Sequence, residues 1–153
     1  MENLLKNENP VFGVIGGGSW ATANVKLLTG NNRKLNWYMR DTNAIEHIKK
    51  YHHHSKYLSS VELDADKFFI TNDINKVVEE SDILIFAVPS AYFISEVSRI
   101  TASYDGKMII SAVKGFVGDE HYTIAEYFHN IHNIPFDRIG VISGPCHAEE
   151  VGM

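Results

Sequence analysis

Short apolar runs alternate with amphipathic stretches along the chain. The runs are rich in β-branched and aromatic residues, so we predict strands at 11–15, 35–39, 68–70, 83–88, 108–113 and 139–142. Helices are predicted between them, over 20–28, 43–51, 73–78, 90–100 and 122–131. The run 83–88 has no polar alternation, which is typical of a strand buried on both faces. This order predicts an α/β fold, a doubly wound, mainly parallel sheet with helices on both faces.

Polar residues and glycine mark the ends of several of these helices. Gly30 is placed to stop the first helix, Asp41 and Thr42 can cap the second, and Ser90 can cap the fourth. The stretch 51–66 has no clear period, so we predict a long loop there. Residues 148–153 are typical of the beginning of a further helix.

Composition narrows the class of protein. The 153 residues are 44% hydrophobic, which suits one globular domain, and a net charge of −5 argues against a general nucleic-acid binder. A single cysteine excludes an intramolecular disulfide. The apolar run 83–89 is far shorter than the roughly 20 residues of a membrane helix, and residues 1–10 lack an apolar signal core. We expect a cytoplasmic protein with no membrane span and no nucleic-acid partner.

A glycine-rich motif lies directly after the first predicted strand and opens the first helix. Residues 16–21, Gly-Gly-Gly-Ser-Trp-Ala, match G-x-G-x-x-A, a form of the dinucleotide fingerprint. Gly16 would allow the tight turn, Gly18 would let the backbone approach a pyrophosphate, and Ala21 would let helix and strand pack closely. The alternative is a glycine turn without a ligand. It becomes less favoured because a predicted strand precedes the motif, a predicted helix follows it, and strands and helices go on alternating, as in a dinucleotide-binding fold. The motif therefore predicts a Rossmann-like fold that binds NAD or NADP.

The end of the second strand leaves the choice of cofactor open. Arg40 and Asp41 lie there, 24 and 25 positions after Gly16. An acid would accept from a ribose 2′-hydroxyl and favour NAD, whereas an arginine would pair with a 2′-phosphate and favour NADP. Asp41 also suits a helix cap.

Residues that follow the strands are candidates for ligand contacts, because ligands of doubly wound sheets bind beyond the carboxyl ends of the strands. Lys114 closes an otherwise apolar strand, so it can serve as a point charge for a phosphate or carbonyl oxygen, or be a solvated surface lysine. The run His52–His54 has no framing cluster of ligands, so we predict exposed loop residues and no metal site. His54 could approach an adenosine phosphate.

Motifs over the whole chain are identified as those of a known family. Gly16-x-Gly18-Ser19-Trp20-x-Thr22-Ala23, Val88-Pro89-Ser90, Lys114-Gly115 and Ser143-Gly144-Pro145 occur in the order and spacing of the N-terminal half of bacterial-type NAD(P)-dependent glycerol-3-phosphate dehydrogenases, which the chain resembles. Lys56-Tyr57-Leu58 is similar to a further motif of that family. The resemblance implies an enzyme that interconverts dihydroxyacetone phosphate and sn-glycerol 3-phosphate with NADH or NADPH, for phospholipid synthesis.

The resemblance also assigns roles to individual residues. It implies cofactor contacts at the glycine motif and at Ser19, Trp20, Arg40, Tyr92, Lys114 and Ala148. It implies that Lys114 also contacts the substrate, together with Gly144 and Cys146. Cys146 departs from the threonine of many members and would lose a hydroxyl hydrogen bond.

Length is the largest departure from the family. The resemblance implies a helical second half that supplies the acid–base lysine and the groups that hold the substrate phosphate. We therefore expect residues 1–153 to be an NAD(P)-binding Rossmann domain without its C-terminal substrate domain, able to bind cofactor but inactive alone. The full-length enzyme is compatible with a homodimer. The alternatives are the cofactor domain of a related two-domain hydroxy-compound reductase and a stand-alone NAD(P)-binding sensor domain.

Overall fold

A computed structural model describes residues 7–31, 33–143 and 147–152. Six strands and six helices alternate within these ranges, which confirms the predicted α/β pattern. The strands are β1 (Phe12–Ile15), β2 (Leu35–Tyr38), β3 (Phe68–Thr71), β4 (Ile83–Phe86), β5 (Met108–Ser111) and β6 (Ile139–Val141). The helices are α1 (Ser19–Gly30), α2 (Thr42–Tyr51), α3 (Ile74–Glu79), α4 (Ser90–Val97), α5 (Ile124–His132) and α6 (Ala148–Gly152). Short 3₁₀ turns cover Ala65–Lys67 and Phe136–Arg138.

The sheet has the order β3-β2-β1-β4-β5-β6, and every neighbouring pair is parallel. The last residue of β1, Ile15, is in register with Tyr38 and Phe86, the last residues of β2 and β4. The carboxyl ends of the three central strands therefore meet at one edge. The order of the strands reverses between β1 and β4, and ligands of doubly wound sheets bind at such a point.

Two apolar cores enclose the sheet, one on each face. One core contains Trp37 together with buried residues of α1 and α2, such as Val25 and Ile48. The other contains Phe86 with buried residues of α3, α4 and α5, such as Phe93 and Phe128. Helices therefore cover both faces, as predicted, and the four residues of β4 are all buried.

Helix α6 packs against α1 although the two are distant in the chain. Gly152 permits this contact, because a Cβ there would lie 3.1 Å from Leu58 Cδ1 and 3.7 Å from Ala23 Cβ. Within the described residues, every helix is too short or too polar to cross a bilayer.

Several helix boundaries differ from the predicted ones. Pro89 occupies the N-cap of α4, and Ser90 is the first helical residue rather than the cap. Helix α5 begins at Ile124, so Tyr122 lies outside it and pairs with Val117 in an isolated bridge. The physical reason is a capping box, in which the Thr123 hydroxyl accepts from the Glu126 N–H and the Glu126 carboxylate accepts from the Thr123 N–H.

Candidate functional site

The glycine turn, residues 16–18, connects β1 to α1 at the reversal of strand order. Gly16 has φ of +137°, and a Cβ there would lie 2.3 Å from the carbonyl oxygen of Ala87. Its N–H donates to the Tyr38 carbonyl at 3.1 Å. Only glycine fits this position, because both the backbone conformation and the neighbouring backbone exclude a side chain.

Gly18 presents open backbone at the beginning of α1. A Cβ there would meet no atom within 4 Å. Gly18 is the N-cap residue of α1 and, because it has no side chain, it makes no capping hydrogen bond. The first turn of α1 holds no acidic residue. The N–H groups of a first helical turn have no acceptor within the helix, and the helix dipole is positive there, so this end suits an anion.

Two buried side chains, Trp37 and His54, form hydrogen bonds to carbonyl groups of the glycine turn. The Trp37 indole donates from Nε1 to the Gly16 carbonyl at 2.7 Å, and His54 Nε2 lies 3.1 Å from the Gly17 carbonyl. His54 Nδ1 accepts from the N–H groups of Lys56 and Tyr57, at 3.0 and 3.3 Å. Since Nδ1 accepts, Nε2 carries the proton and donates to Gly17. His54 thus ties the loop after α2 to the glycine turn.

The expectation that His54 is an exposed loop residue is wrong. Its side chain is 2% exposed, and burial lowers its pKa below the usual value for histidine. The lowered pKa agrees with the hydrogen bonds, because a protonated ring could not accept at Nδ1. The pattern of three consecutive histidines gave no signal that the third lies in the interior.

One cavity, here the Arg40 cavity, opens beside the glycine turn at the ends of β2 and α4. It has a volume of about 250 Å³. Asp41 lies on its rim and caps α2, accepting from the N–H groups of Asn43 and Ala44 at 3.0 and 3.2 Å. Lys56 Nζ lies 3.8 Å from the other oxygen of Asp41. The residues that line this cavity include Gly16, Gly18, Tyr38, Arg40, Asp41, Lys56, Tyr57, Tyr92 and Glu96.

Glu96 is a buried carboxylate in the wall of the Arg40 cavity, and the sequence analysis missed it. Its Oε1 accepts from Arg40 Nη1 at 3.1 Å, and its Oε2 accepts from the Tyr38 hydroxyl at 2.7 Å and from Arg99 Nη1 at 3.3 Å. Arg99 Nη1 also donates to the Tyr38 hydroxyl at 2.8 Å. Burial, and next the bond to Glu96, raises the pKa of Tyr38 to about 12. The hydroxyl therefore remains a donor at neutral pH.

A second cavity, here the Lys114 cavity, lies on the other side of Gly18 and has a volume of about 480 Å³. Lys114 follows β5 and is exposed. Within the described part of the chain, its ammonium group takes part in no hydrogen bond or ion pair. The lining residues include Gly18, Ser19, Trp20, Val88, Pro89, Ser90, Lys114, His147 and Ala148.

The predicted cofactor residues fall into these two cavities, which share Gly18, Val88 and Pro89. Ser19, Trp20, Lys114 and Ala148 line the Lys114 cavity, whereas Gly16, Arg40 and Tyr92 line the Arg40 cavity. A neighbouring cavity of about 420 Å³ extends from Trp20 and Lys114 to residues 141–143. Gly144 and Cys146, the predicted substrate residues, lie outside the described residues.

Comparisons with known proteins found a family model and relatives that match most of the chain. A profile described as the NAD-dependent glycerol-3-phosphate dehydrogenase N-terminus matches residues 12–153. A glycerol-3-phosphate dehydrogenase [NAD(P)+] of Agathobacter rectalis is 33% identical over 141 residues, covering 92% of this chain and 41% of that protein. The enzyme of the same name from Pseudomonas syringae pv. syringae is 31% identical over 147 residues, covering 96% of this chain and 42% of that protein.

A solved structure of Plasmodium falciparum glycerol-3-phosphate dehydrogenase has a TM-score of 0.80 at 25% identity, covering 95% of this chain and 43% of that one. That of the Saccharomyces cerevisiae enzyme has a TM-score of 0.78 at 24% identity, covering 95% and 44% of the two chains, and shows the shared fold. The chain spans about two-fifths of the length of the relatives it matches.

Proposed function

Because the chain belongs to the NAD-dependent glycerol-3-phosphate dehydrogenase N-terminal family, we propose that it binds NAD(H) or NADP(H) as the cofactor domain of such an enzyme. The observation that carries the proposal is the meeting of two cavities at Gly18, at the reversal of strand order. A dinucleotide has two halves joined by a pyrophosphate. The open backbone of Gly18 and the beginning of α1 suit the pyrophosphate, and one cavity lies on each side for the two halves.

The two cavities suit different halves of the cofactor. The Arg40 cavity follows β2, the strand whose end approaches the adenosine ribose in this fold, so it takes the adenosine half. The Lys114 cavity then takes the nicotinamide half, with Ser19 and Trp20 at the pyrophosphate and Ala148 at the inner wall. Tyr92, which is 57% exposed, forms part of the rim of the adenosine side.

The proposed reaction of the full enzyme is the interconversion of dihydroxyacetone phosphate and sn-glycerol 3-phosphate. A nicotinamide cofactor, when bound, would provide the hydride chemistry of this interconversion. Lys114 lines that half of the site, and among the described residues its ammonium group has no hydrogen bond or ion pair, so it can donate to the substrate carbonyl oxygen and polarise it. Gly144 and Cys146 complete the substrate side in this proposal, and the proton comes from a lysine of the helical half that the family resemblance implies.

The proposal has three finer parts that the family resemblance supports. The glycerol 3-phosphate product would serve phospholipid synthesis, the enzyme would be cytoplasmic, and the full-length enzyme would form a homodimer. Its partner in each turnover is a small phosphorylated substrate.

A titration of the 153-residue chain with NADH and with NADPH, followed by tryptophan fluorescence, tests the proposal. Trp20 is half-buried at the cavity and should report binding, whereas Trp37 is fully buried beneath the turn. The Trp20→Phe variant should lose the signal, and equilibrium dialysis should then measure binding directly. The chain should show no turnover of dihydroxyacetone phosphate. Absence of binding of both dinucleotides, in dialysis as well as fluorescence, would contradict the proposed function.

A further inference from the structure

The charges around the Arg40 cavity are already matched within the protein. The two carboxylates, Asp41 and Glu96, each pair with a base that lines the same cavity: Lys56 lies 3.8 Å from Asp41, and Arg40 lies 3.1 Å from Glu96. A ligand group with two negative charges would therefore enter a site whose cations already have partners. A neutral ribose 2′-hydroxyl would not have to compete with Asp41 and Glu96 for these cations.

The two carboxylates differ in how strongly solvent weakens their influence. The Asp41 side chain is 48% exposed, and one of its oxygens accepts from the first turn of α2. The Glu96 side chain is 8% exposed. Charges near the surface are strongly screened, whereas a buried charge acts through a medium of lower dielectric constant. Solvent therefore screens the charge of Glu96 less than that of Asp41, although Arg40 and Arg99 offset part of it.

Glu96 also restricts the position of Arg40, the arginine that would contact a 2′-phosphate. Arg40 is 68% exposed along its side chain, but its Nη1 is directed to Glu96 Oε1. The opposite oxygen of Glu96 is fixed by Tyr38 and Arg99, so the carboxylate is held on both sides. Arg40 could still offer its other N–H groups to a 2′-phosphate, but its positive charge would be shared with a carboxylate that is itself anchored.

From this geometry we propose that Glu96 is a specificity-determining residue, which offsets the charge of Arg40 and opposes a 2′-phosphate by its own charge. The inference rests on the proposed function, since it concerns the adenosine half of the same site. It resolves the opposing signals of Arg40 and Asp41: the chain accepts NADH at least as well as NADPH, although an arginine follows β2.

The test is the ratio of NADPH to NADH affinity in the Glu96→Gln variant. Glutamine keeps the size of the side chain and an oxygen that can accept from Tyr38, but it removes the charge. We expect the affinity for NADPH to rise about tenfold relative to NADH, the size of effect that one poorly screened charge has on a nearby dianion. Adding Arg40→Ala to Glu96→Gln should remove most of that gain, because Arg40 is the group that becomes available.

The matched control is Glu80→Gln. Glu80 is exposed and lies beside the amino ends of β2 and β3, at the opposite edge of the sheet, so the same loss of charge should leave the ratio unchanged. An unchanged or lowered ratio in Glu96→Gln, with NADH binding retained, would contradict the role of Glu96 alone. Failure of the wild-type chain to bind either dinucleotide would instead contradict the proposed function and this inference with it.

A measurement on the unmodified chain tests the same inference without a variant. Adenosine 2′,5′-bisphosphate and 5′-AMP differ by the 2′-phosphate alone, and both are small enough to report on the Arg40 cavity. We expect their affinities to agree within about threefold, because the cations are already paired. A preference of more than about tenfold for the bisphosphate would overturn the proposal.

Discussion

The Arg40 cavity and the Lys114 cavity meet at the same glycine turn but are held by different kinds of contact. The wall of the Arg40 cavity contains Tyr38 and Glu96, joined by a buried hydrogen bond, and part-buried contacts connect both to Arg99 behind it. The Lys114 cavity is larger, and its charged residues, Lys114 and Glu149, are exposed and form no ion pair within the described residues. The polar groups of the Arg40 cavity therefore have their partners within this chain. Those of the Lys114 cavity are open to a ligand or to further protein.

If this comparison is correct, a change at the glycine turn should damage both regions. Gly16→Ala should cost more than about 3 kcal/mol of the free energy of unfolding, because the new Cβ would lie 2.3 Å from the Ala87 carbonyl at a positive φ. Binding of either dinucleotide should also be lost. Urea unfolding followed by circular dichroism measures the first effect.

Gly106→Ala is the matched control for this substitution. Gly106 also has a positive φ, of +73°, but a Cβ there would meet no atom within 4 Å. The cost should therefore be about 1 kcal/mol, from backbone strain alone. Equal costs at Gly16 and Gly106 would show that the close approach to Ala87 is unimportant.

On the Arg40 side, a substitution should cost stability as well as binding. His54→Phe should lower the free energy of unfolding by about 2–3 kcal/mol, since it leaves the Gly17 carbonyl and two N–H groups without their partner. His47→Phe is the control: His47 Nε2 is buried without a hydrogen bond among the described residues, so its replacement by an apolar ring should be nearly neutral.

The same histidine makes the Arg40 side sensitive to pH. Because the pKa of His54 is lowered in the folded chain, the unfolded chain binds the proton more readily, and stability should fall as the pH drops below about 6.5. His132, whose pKa burial also lowers, contributes to the wild-type loss. The stability of His54→Phe should fall less steeply than that of the wild type. An identical pH dependence of the two would contradict the role of His54.

On the Lys114 side, we expect a smaller effect that is confined to binding. Lys114→Gln should change the free energy of unfolding by no more than about 0.5 kcal/mol, because the side chain is exposed and has no ion pair among the residues that the structure describes. The affinity for NADH should fall about fivefold through loss of one charge near the pyrophosphate. Lys34→Gln, at the opposite edge of the sheet, should change neither quantity. A marked loss of stability in Lys114→Gln would show that Lys114, like the residues of the Arg40 cavity, stabilises the fold, and would contradict the comparison of the two cavities.

The sheet and the glycine turn could be predicted from sequence because local signals determine them. Strands buried on both faces appear as apolar runs, so β4 was located to within two residues. Asp41 and Asp73 lie at the N-caps of α2 and α3, where their side chains accept from backbone N–H groups. Even the missed beginning of α5 has a local signal, since Thr123 and Glu126 have the spacing of a capping box.

The contacts that distinguish the two cavities have no such signal. Glu96 lies between Ser95 and Val97 and looks like an exposed helical charge, because its partners Tyr38 and Arg40 are more than fifty residues away. His54 follows two other histidines and is buried only because the loop folds back onto Gly17. Such long-range polar pairs depend on how the elements meet, which the pattern of one strand or helix does not encode.

The packing of α6 against α1 also has a consequence for how the chain is made. More than one hundred residues separate Gly30 from Ala148, so the surface of α1 that α6 covers is synthesised long before its partner. At synthesis rates of about 5–20 residues per second, the delay is on the order of ten seconds. During that interval the surface of α1 that α6 covers in the folded chain has no α6 to pack against, so it stays open to water or to other partners.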